Sequence, residues 1–88
     1  MTWKIERHAE RQRCVVLRLF GRIDRDAVDA LREAIAREKG SIVIDLTEVM
    51  LVDREAARLF ATSELNGIEL RNCPAYIREW VTKEGESR

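Results

Sequence analysis

Three aspartates, Asp24, Asp45 and Asp53, are the residues of this sequence whose type and spacing could support catalysis or metal binding. Each follows, directly or within a few residues, an apolar run that is typical of a β-strand. If these strands belong to one sheet with their carboxyl ends at the same edge, the three carboxylates could lie together there. A cluster of hard oxygen ligands can hold Mg²⁺, as in a phosphoryl-acceptor site.

The same aspartates also have a structural interpretation. Asp24 and Asp53 each precede a helical pattern, and an aspartate at the N-cap accepts a hydrogen bond from the first turn, which contributes about 1 kcal/mol. Asp45 would then order the loop that follows its strand. We favour this interpretation, and the acid cluster remains the alternative.

Other catalytic constellations are missing from the sequence. The single histidine, His8, lies in a polar stretch without a neighbouring residue at metal-ligand spacing. The two cysteines, Cys14 and Cys73, are too far apart for a metal motif or a disulfide scaffold. Glycine-rich phosphate-binding motifs and a Cys-x-x-Cys pair are also absent. We therefore predict a protein that is not an enzyme and that needs no cofactor or metal ion.

Composition predicts one small globular domain, residues 1–88. Hydrophobic residues make up 45% of the chain, and 88 residues leave no room for a second domain. Lys+Arg and Asp+Glu number 16 each, so the net charge is zero, which argues against nucleic-acid binding. No apolar run approaches the roughly 20 residues that cross a bilayer. We expect a cytoplasmic protein that does not enter membranes.

Hydrophobic periodicity predicts the elements that position these residues. Two strands come first, over about residues 2–6 and 14–20, and they are expected to be antiparallel. A helix capped by Asp24 then runs to about Lys39, and Gly40 is expected to end it in the left-handed conformation.

The second half of the chain continues with a buried strand. Residues 42–44 are apolar on both faces, which favours a central parallel strand, and residues 46–52 are predicted to form a loop. The last three elements are a helix, a short strand and a helix, over about residues 54–66, 68–71 and 74–82, with a frayed tail after them. The order β-β-α-β-α-β-α predicts an α/β fold with a small mixed four-stranded sheet.

Two segments of the chain resemble the signatures of STAS domains, which occur in bacterial anti-sigma factor antagonists and in the tails of sulfate transporters. Residues 16–24, VLRLFGRID, are similar to a strand followed by Gly-x-Ile/Leu-Asp. Residues 42–53, IVIDLTEVMLVD, are similar to a strand that ends in Asp-Leu, followed by a short loop and an apolar pair before Asp. The resemblance covers about residues 14–82 and implies a STAS-like fold.

The resemblance implies a non-enzymatic protein-interaction module of bacterial signalling and transcription regulation. In antagonists of this kind, a serine directly after the second aspartate is phosphorylated by a partner kinase that is also the anti-sigma factor. Here Arg54 occupies that position and Glu55 the next one, so we expect no phosphorylation at the usual site. Thr47 and Thr62 are the nearest alternatives that carry a hydroxyl group.

The same resemblance implies where a partner binds and what it is. The partner would be a protein, either an anti-sigma factor with serine kinase activity or a larger multi-STAS assembly. The expected partner-binding residues surround the first turns of the second predicted helix: Asp24, Asp53, Arg54, Glu55 and Arg58. The alternative from another functional class is a phosphoryl acceptor or Mg²⁺-dependent enzyme that uses Asp24, Asp45 and Asp53.

Overall fold

A computed structural model of the chain describes residues 2–86 as a four-stranded sheet with three helices. The elements are, in chain order, β1 (Trp3–Glu10), β2 (Cys14–Ile23), α1 (Arg25–Ala36), β3 (Ser41–Val52), α2 (Arg54–Leu65), β4 (Glu69–Arg71) and α3 (Ala75–Glu86). β1 pairs antiparallel with β2, and the pairs β2–β3 and β3–β4 are parallel. The mixed sheet and the element order confirm the predicted fold class.

The hydrophobic core lies between one face of the sheet and the helices. α1 and α2 each connect neighbouring parallel strands, and right-handed crossovers place both helices on the same face. The fully buried large side chains come from the strands and from all three helices, and they include Leu19, Leu31, Ile44, Phe60 and Ile77. None of the helices within residues 2–86 is long and apolar enough to span a membrane.

Both predicted N-caps are present. The Oδ1 atom of Asp24 accepts a hydrogen bond from the backbone N–H of Ala27 at 3.1 Å, and Asp53 accepts one from Ala56 at 2.9 Å. Both aspartates have the extended backbone conformation that is typical of an N-cap residue. These bonds fix the points at which α1 and α2 leave the sheet.

The prediction of a loop over residues 46–52 is wrong, because β3 continues through this segment to Val52. Its buried residues here are Leu46, Val49 and Val52, which are spaced by three rather than by two. The register against β2 shifts twice, and each shift inserts one extra residue in β3. Two β-bulges therefore keep these side chains in the core and remove the alternation by which a strand is recognised.

The first two strands are also longer than predicted. β1 extends to Glu10, because residues 7–10 pair with residues 14–17 across a tight turn. β2 continues beyond Phe20 to Ile23 and passes through Gly21, which has a φ of 82°. A Cβ atom at Gly21 would collide with the carbonyl oxygen of Thr2, so glycine is needed there inside the strand rather than at its end.

The helix ends differ from the predictions at two places. α1 ends at Ala36, before Lys39, and Gly40 does not adopt the left-handed conformation. A Cβ atom at Gly40 would collide with the carbonyl oxygen of Arg13, so this glycine instead lets β3 begin close to the β1–β2 turn. α3 extends to Glu86, and the rest of the predicted frayed tail lies outside the described residues.

Candidate functional site

The carboxyl edge of β2 and β3 brings the predicted partner-binding residues together. Asp24 and Asp53 directly follow two residues that are partners in the β2–β3 register, and the N–H of Asp53 donates to the carbonyl oxygen of Ile23 at 3.4 Å. The two capping carboxyl groups therefore belong to adjacent strand ends. The first turns of α2 then present the exposed residues Arg54, Glu55 and Arg58. We call these five residues the polar site.

The two arginines of the polar site share a carboxylate that α3 supplies. The Nε atom of Arg54 lies 3.4 Å from Oε2 of Glu84, and the Nε atom of Arg58 lies 3.1 Å from Oε1. The Glu84 side chain is only 11% exposed, whereas both arginine side chains are more than half exposed. Sequence reasoning missed this contact, because Arg58 and Glu84 are 26 residues apart and no periodicity links them.

Asp45 lies away from the polar site, so the alternative interpretation, a cluster of three aspartates, is wrong. It is near the middle of β3, where it is paired with Arg18 of β2 and Arg71 of β4. Its partner Arg18 lies six residues before Asp24 on β2, so at a rise of about 3.3 Å per strand residue Asp45 is about 20 Å from the ends of these strands. Within residues 2–86, no group of three or more His, Cys, Asp or Glu side chains could hold a metal ion.

Asp45 is a buried carboxylate on the sheet face that points away from the helices, and it is 3% exposed. Its Oδ1 atom accepts hydrogen bonds from the hydroxyl and the N–H of Thr47 at 2.6 and 2.9 Å. Nη2 of Arg18 lies 3.4 Å from Oδ2. Burial raises the pKa of Asp45, but the bonds from Thr47 and Asn72 and the charge of Arg18 outweigh it, so the pKa lies below its usual value. Asp45 thus orders the segment after it, which is a strand rather than a loop.

The two alternative phosphorylation positions differ in access. Thr47 is an exposed residue, but its hydroxyl group donates to the carboxylate of Asp45. Thr62 is exposed near the C-terminal end of α2, at the opposite end of the helix from Arg54. Neither hydroxyl group therefore lies at the polar site.

An exposed apolar patch adjoins the polar site. Met50 is 77% exposed, and its neighbour Leu51 is about half exposed, where the second bulge turns both side chains away from the core. The hydroxyl group of Tyr76, which is also about half exposed, donates to the carbonyl oxygen of Met50 at 2.7 Å. We call Met50, Leu51 and Tyr76 the Met50 patch. Thr2 and Arg22 line an open groove of about 440 Å³ together with the first two of them.

Sequence reasoning missed the Met50 patch because its signal is ambiguous. An apolar pair just before Asp53 is visible in the sequence, but such a pair is equally typical of a buried strand. Only the register with β2 shows that Val49 and Val52 turn inward while the two residues between them turn outward. Exposed apolar side chains that lie together often mark a surface for protein binding.

A second groove, of about 520 Å³, lies at the opposite end of the strands, where β3 and β4 begin. Its lining comes from the C-terminal ends of α1 and α2 and from the starts of the strands that follow them, and it includes Arg32, Leu59 and Ile68. None of the five residues of the polar site lines it. We therefore place the candidate site at the carboxyl edge, where exposed charges and exposed apolar groups meet.

The fold and the site define a small α/β protein with a mixed polar and apolar surface at the carboxyl edge of its sheet. No model of a known protein family matches the chain, and no curated protein matches it at a significant level.

Proposed function

We propose that this chain is a non-enzymatic, cytoplasmic protein-interaction module of bacterial signalling, similar to an anti-sigma factor antagonist. The observation that carries the proposal is the Met50 patch, an exposed apolar surface directly before Asp53 and the start of α2. The partner is a protein, either an anti-sigma factor with serine kinase activity or a multi-STAS assembly. It binds without phosphorylation at the usual position, which Arg54 occupies.

The surface has the chemical make-up of a protein interface, in which an apolar centre is surrounded by a polar rim. Met50 and Leu51 supply the apolar centre, and covering such groups is favourable by about 25 cal/mol per Å² of apolar surface. Arg54 and Glu55 supply the rim, with opposite charges on adjacent exposed residues. A partner with a matching apolar anchor and complementary charges fits this surface.

The two capping aspartates contribute to the rim while they stabilise their helices. In each of Asp24 and Asp53, the Oδ1 atom is bound to a backbone N–H of the following helix. An ionised carboxyl group accepts several hydrogen bonds, so capping does not exhaust its capacity. Donors from a partner can therefore bind beside the caps without displacing them.

The Met50 patch is tested with a matched pair of substitutions, Met50→Glu and Leu65→Glu. Both residues are highly exposed, at 77% and 69%, but Leu65 lies at the far end of α2. Both variants should fold, because exposed substitutions usually change stability by less than about 0.5 kcal/mol. With the partner captured from the native cell and identified, calorimetry should show at least about a tenfold loss of affinity for Met50→Glu alone. Equal affinities for the parent and both variants would contradict the proposed surface.

The polar site is tested with the double substitution of Arg54→Ser and Glu55→Ser, which removes both fixed charges. We expect an affinity loss of at least about tenfold, or about 1.4 kcal/mol. The fold should survive, because both positions are exposed and Arg58 retains its contact with Glu84. The matched control replaces the exposed Arg-Glu pair of α1, Arg32 and Glu33, by serines. If parent and double variant bind equally well, the interface lies elsewhere on the domain.

The parent and the double variant with Arg54→Ser and Glu55→Ser also test phosphorylation. Arg54 has no hydroxyl group, so the parent should gain no phosphate there after incubation with a family kinase and ATP, as read by intact mass. The double variant carries a serine after Asp53 and is the positive control for the kinase. A phosphate mapped to Thr47 or Thr62 of the parent would mean that phosphorylation has moved to another position.

A further inference from the structure

β1 forms one edge of the sheet, and its outer side pairs with no other strand among residues 2–86. It is eight residues long, whereas β4 at the other edge has three. The N–H of Arg22 donates to the carbonyl oxygen of Thr2 at 2.9 Å, so the even-numbered residues of β1 bond to β2. The backbone groups that point to the open side therefore belong to the odd-numbered residues Trp3, Ile5, Arg7 and Ala9.

We infer that two copies of this chain associate through this edge, with β1 of one copy antiparallel to β1 of the other. A long exposed edge with unpaired N–H and C=O groups is a template for a further strand. In a symmetric dimer the same edge must complement itself, so its sequence decides whether pairing is favourable. The charges of β1 meet this requirement.

A two-fold axis at Arg7 produces attractive charge pairs on the sheet face away from the helices. Lys4 then lies opposite Glu10 of the second copy as a charge pair, and Glu6 lies opposite the His8 ring of the second copy as a hydrogen-bonding pair. Within one chain Lys4 already lies 2.9 Å from Glu6, and Glu10 lies 3.8 Å from Arg71, so the contacts between copies extend these ion pairs. Side chains directly opposite each other in an antiparallel pair lie on the same face of the sheet. Because the dimer has two-fold symmetry, each attractive pair occurs twice. Charged edge residues usually hinder association, but in this register they bind one another.

Neighbouring registers are less favourable. An axis at Glu6 places this residue opposite Glu6 of the second copy. An axis at His8 places Glu6 opposite Glu10 of the second copy. An axis at Ile5 places Lys4 opposite Glu6 of the second copy, which is attractive, but it pairs only residues 3–7. The axis at Arg7 pairs residues 4–10. Like charges directly opposite each other are destabilising, so the pattern selects the register centred on Arg7.

Arg7 itself does not oppose this register, although it lies on the axis. Its Nε and Nη2 atoms lie 2.7 and 3.2 Å from the two carboxylate oxygens of Glu38, which neutralises the guanidinium within its own chain. The neighbouring residues on the helix side add apolar contact. Ile5, which is only partly buried beside an open groove of about 460 Å³, lies opposite Ala9 of the second copy.

The direct test blocks the edge with Ala9→Pro. Ala9 is exposed and its N–H points to the open side, so proline removes a bond to the second copy and none within the chain. Ala9→Ser keeps the N–H and is the matched control. In sedimentation equilibrium the parent and Ala9→Ser should approach twice the 10.2 kDa of one chain, and Ala9→Pro should remain at 10.2 kDa. A parent that stays at 10.2 kDa up to millimolar concentration, or an Ala9→Pro variant that dimerises like the parent, would overturn the inference.

The register is tested by exchanging charges. Lys4→Glu and Glu10→Lys should each weaken the dimer at least about tenfold, and the double variant should return to within about threefold of the parent. Lys39→Glu, an exposed charge change outside β1, should have no effect on the dimer. Single variants that dimerise as well as the parent, or a double variant that does not recover, would overturn the register centred on Arg7.

Discussion

Replacing Phe60 by alanine is expected to lower the free energy of unfolding by about 3–5 kcal/mol. Phe60 is fully buried in the core, on the side of α2 that packs against the sheet. The variant loses the transfer free energy of the ring and gains a cavity that surrounding strands cannot fill. A domain of 88 residues has a total stability of roughly 4–13 kcal/mol, so a large part of it depends on this side chain. Urea unfolding followed by circular dichroism measures the loss.

Two further substitutions make this measurement specific. Leu65 lies on the same helix and is 69% exposed, so Leu65→Ala should change the free energy of unfolding by less than about 0.5 kcal/mol. Leu31→Ala, at the buried face of α1, should cost about 2–5 kcal/mol. Unfolding midpoints for Phe60→Ala and Leu31→Ala that match the parent would contradict the packing of both helices on the sheet.

The fold class could be predicted because its signals are local. Asp24 and Asp53 mark the starts of α1 and α2, and an N-cap is recognised from a few neighbouring residues. The apolar stripes of both helices repeat every three to four residues, which identifies their buried sides without knowledge of the sheet. The predicted bounds of α2 agree with the structure to within one residue at each end.

The strand ends could not be predicted because pairing is not local. Residues 46–52 lack strict alternation, and only the register with β2 shows that two bulges produce the spacing of three. Residues 7–10 are almost wholly polar, since they belong to the edge strand and all four are exposed. Neither segment carries the alternation of a half-buried strand, although both are strands.

The candidate site could be predicted only in part for the same reason. The N-caps predict where Asp24, Asp53 and the start of α2 lie, and hence the polar site. The position of Asp45 depends on where β3 ends, so the error in that strand also produced the hypothesis of an acid cluster. The contact of α3 with the arginines through Glu84, and the exposure of Met50, depend on tertiary packing that no short motif encodes.

Replacing Asp45 by alanine should lower the free energy of unfolding by about 2–3 kcal/mol, the largest effect that we expect for a polar residue. The carboxylate is 3% exposed and accepts two hydrogen bonds from Thr47, and its loss leaves those donors and the charge of Arg18 without their partner. Bonds to charged groups contribute about 1.5–3 kcal/mol each, and removing one partner costs more than removing both. Glu48→Ala, at an exposed position of the same strand, is the control and should be nearly neutral.

The pH dependence of stability distinguishes the charge of Asp45 from its shape. Burial raises its pKa, and the bonds from Thr47 and Asn72 with the charge of Arg18 outweigh this, so the folded pKa lies below that of the unfolded chain, about 3.9. Such a group stabilises the fold above the unfolded pKa, and this contribution is lost as pH falls through the folded pKa. The stability difference between the parent and the isosteric Asp45→Asn variant should therefore be constant above about pH 5 and should shrink below about pH 4. Other carboxylates are common to both proteins, so a difference that stays constant at low pH would show that the charge of Asp45 does not stabilise the fold.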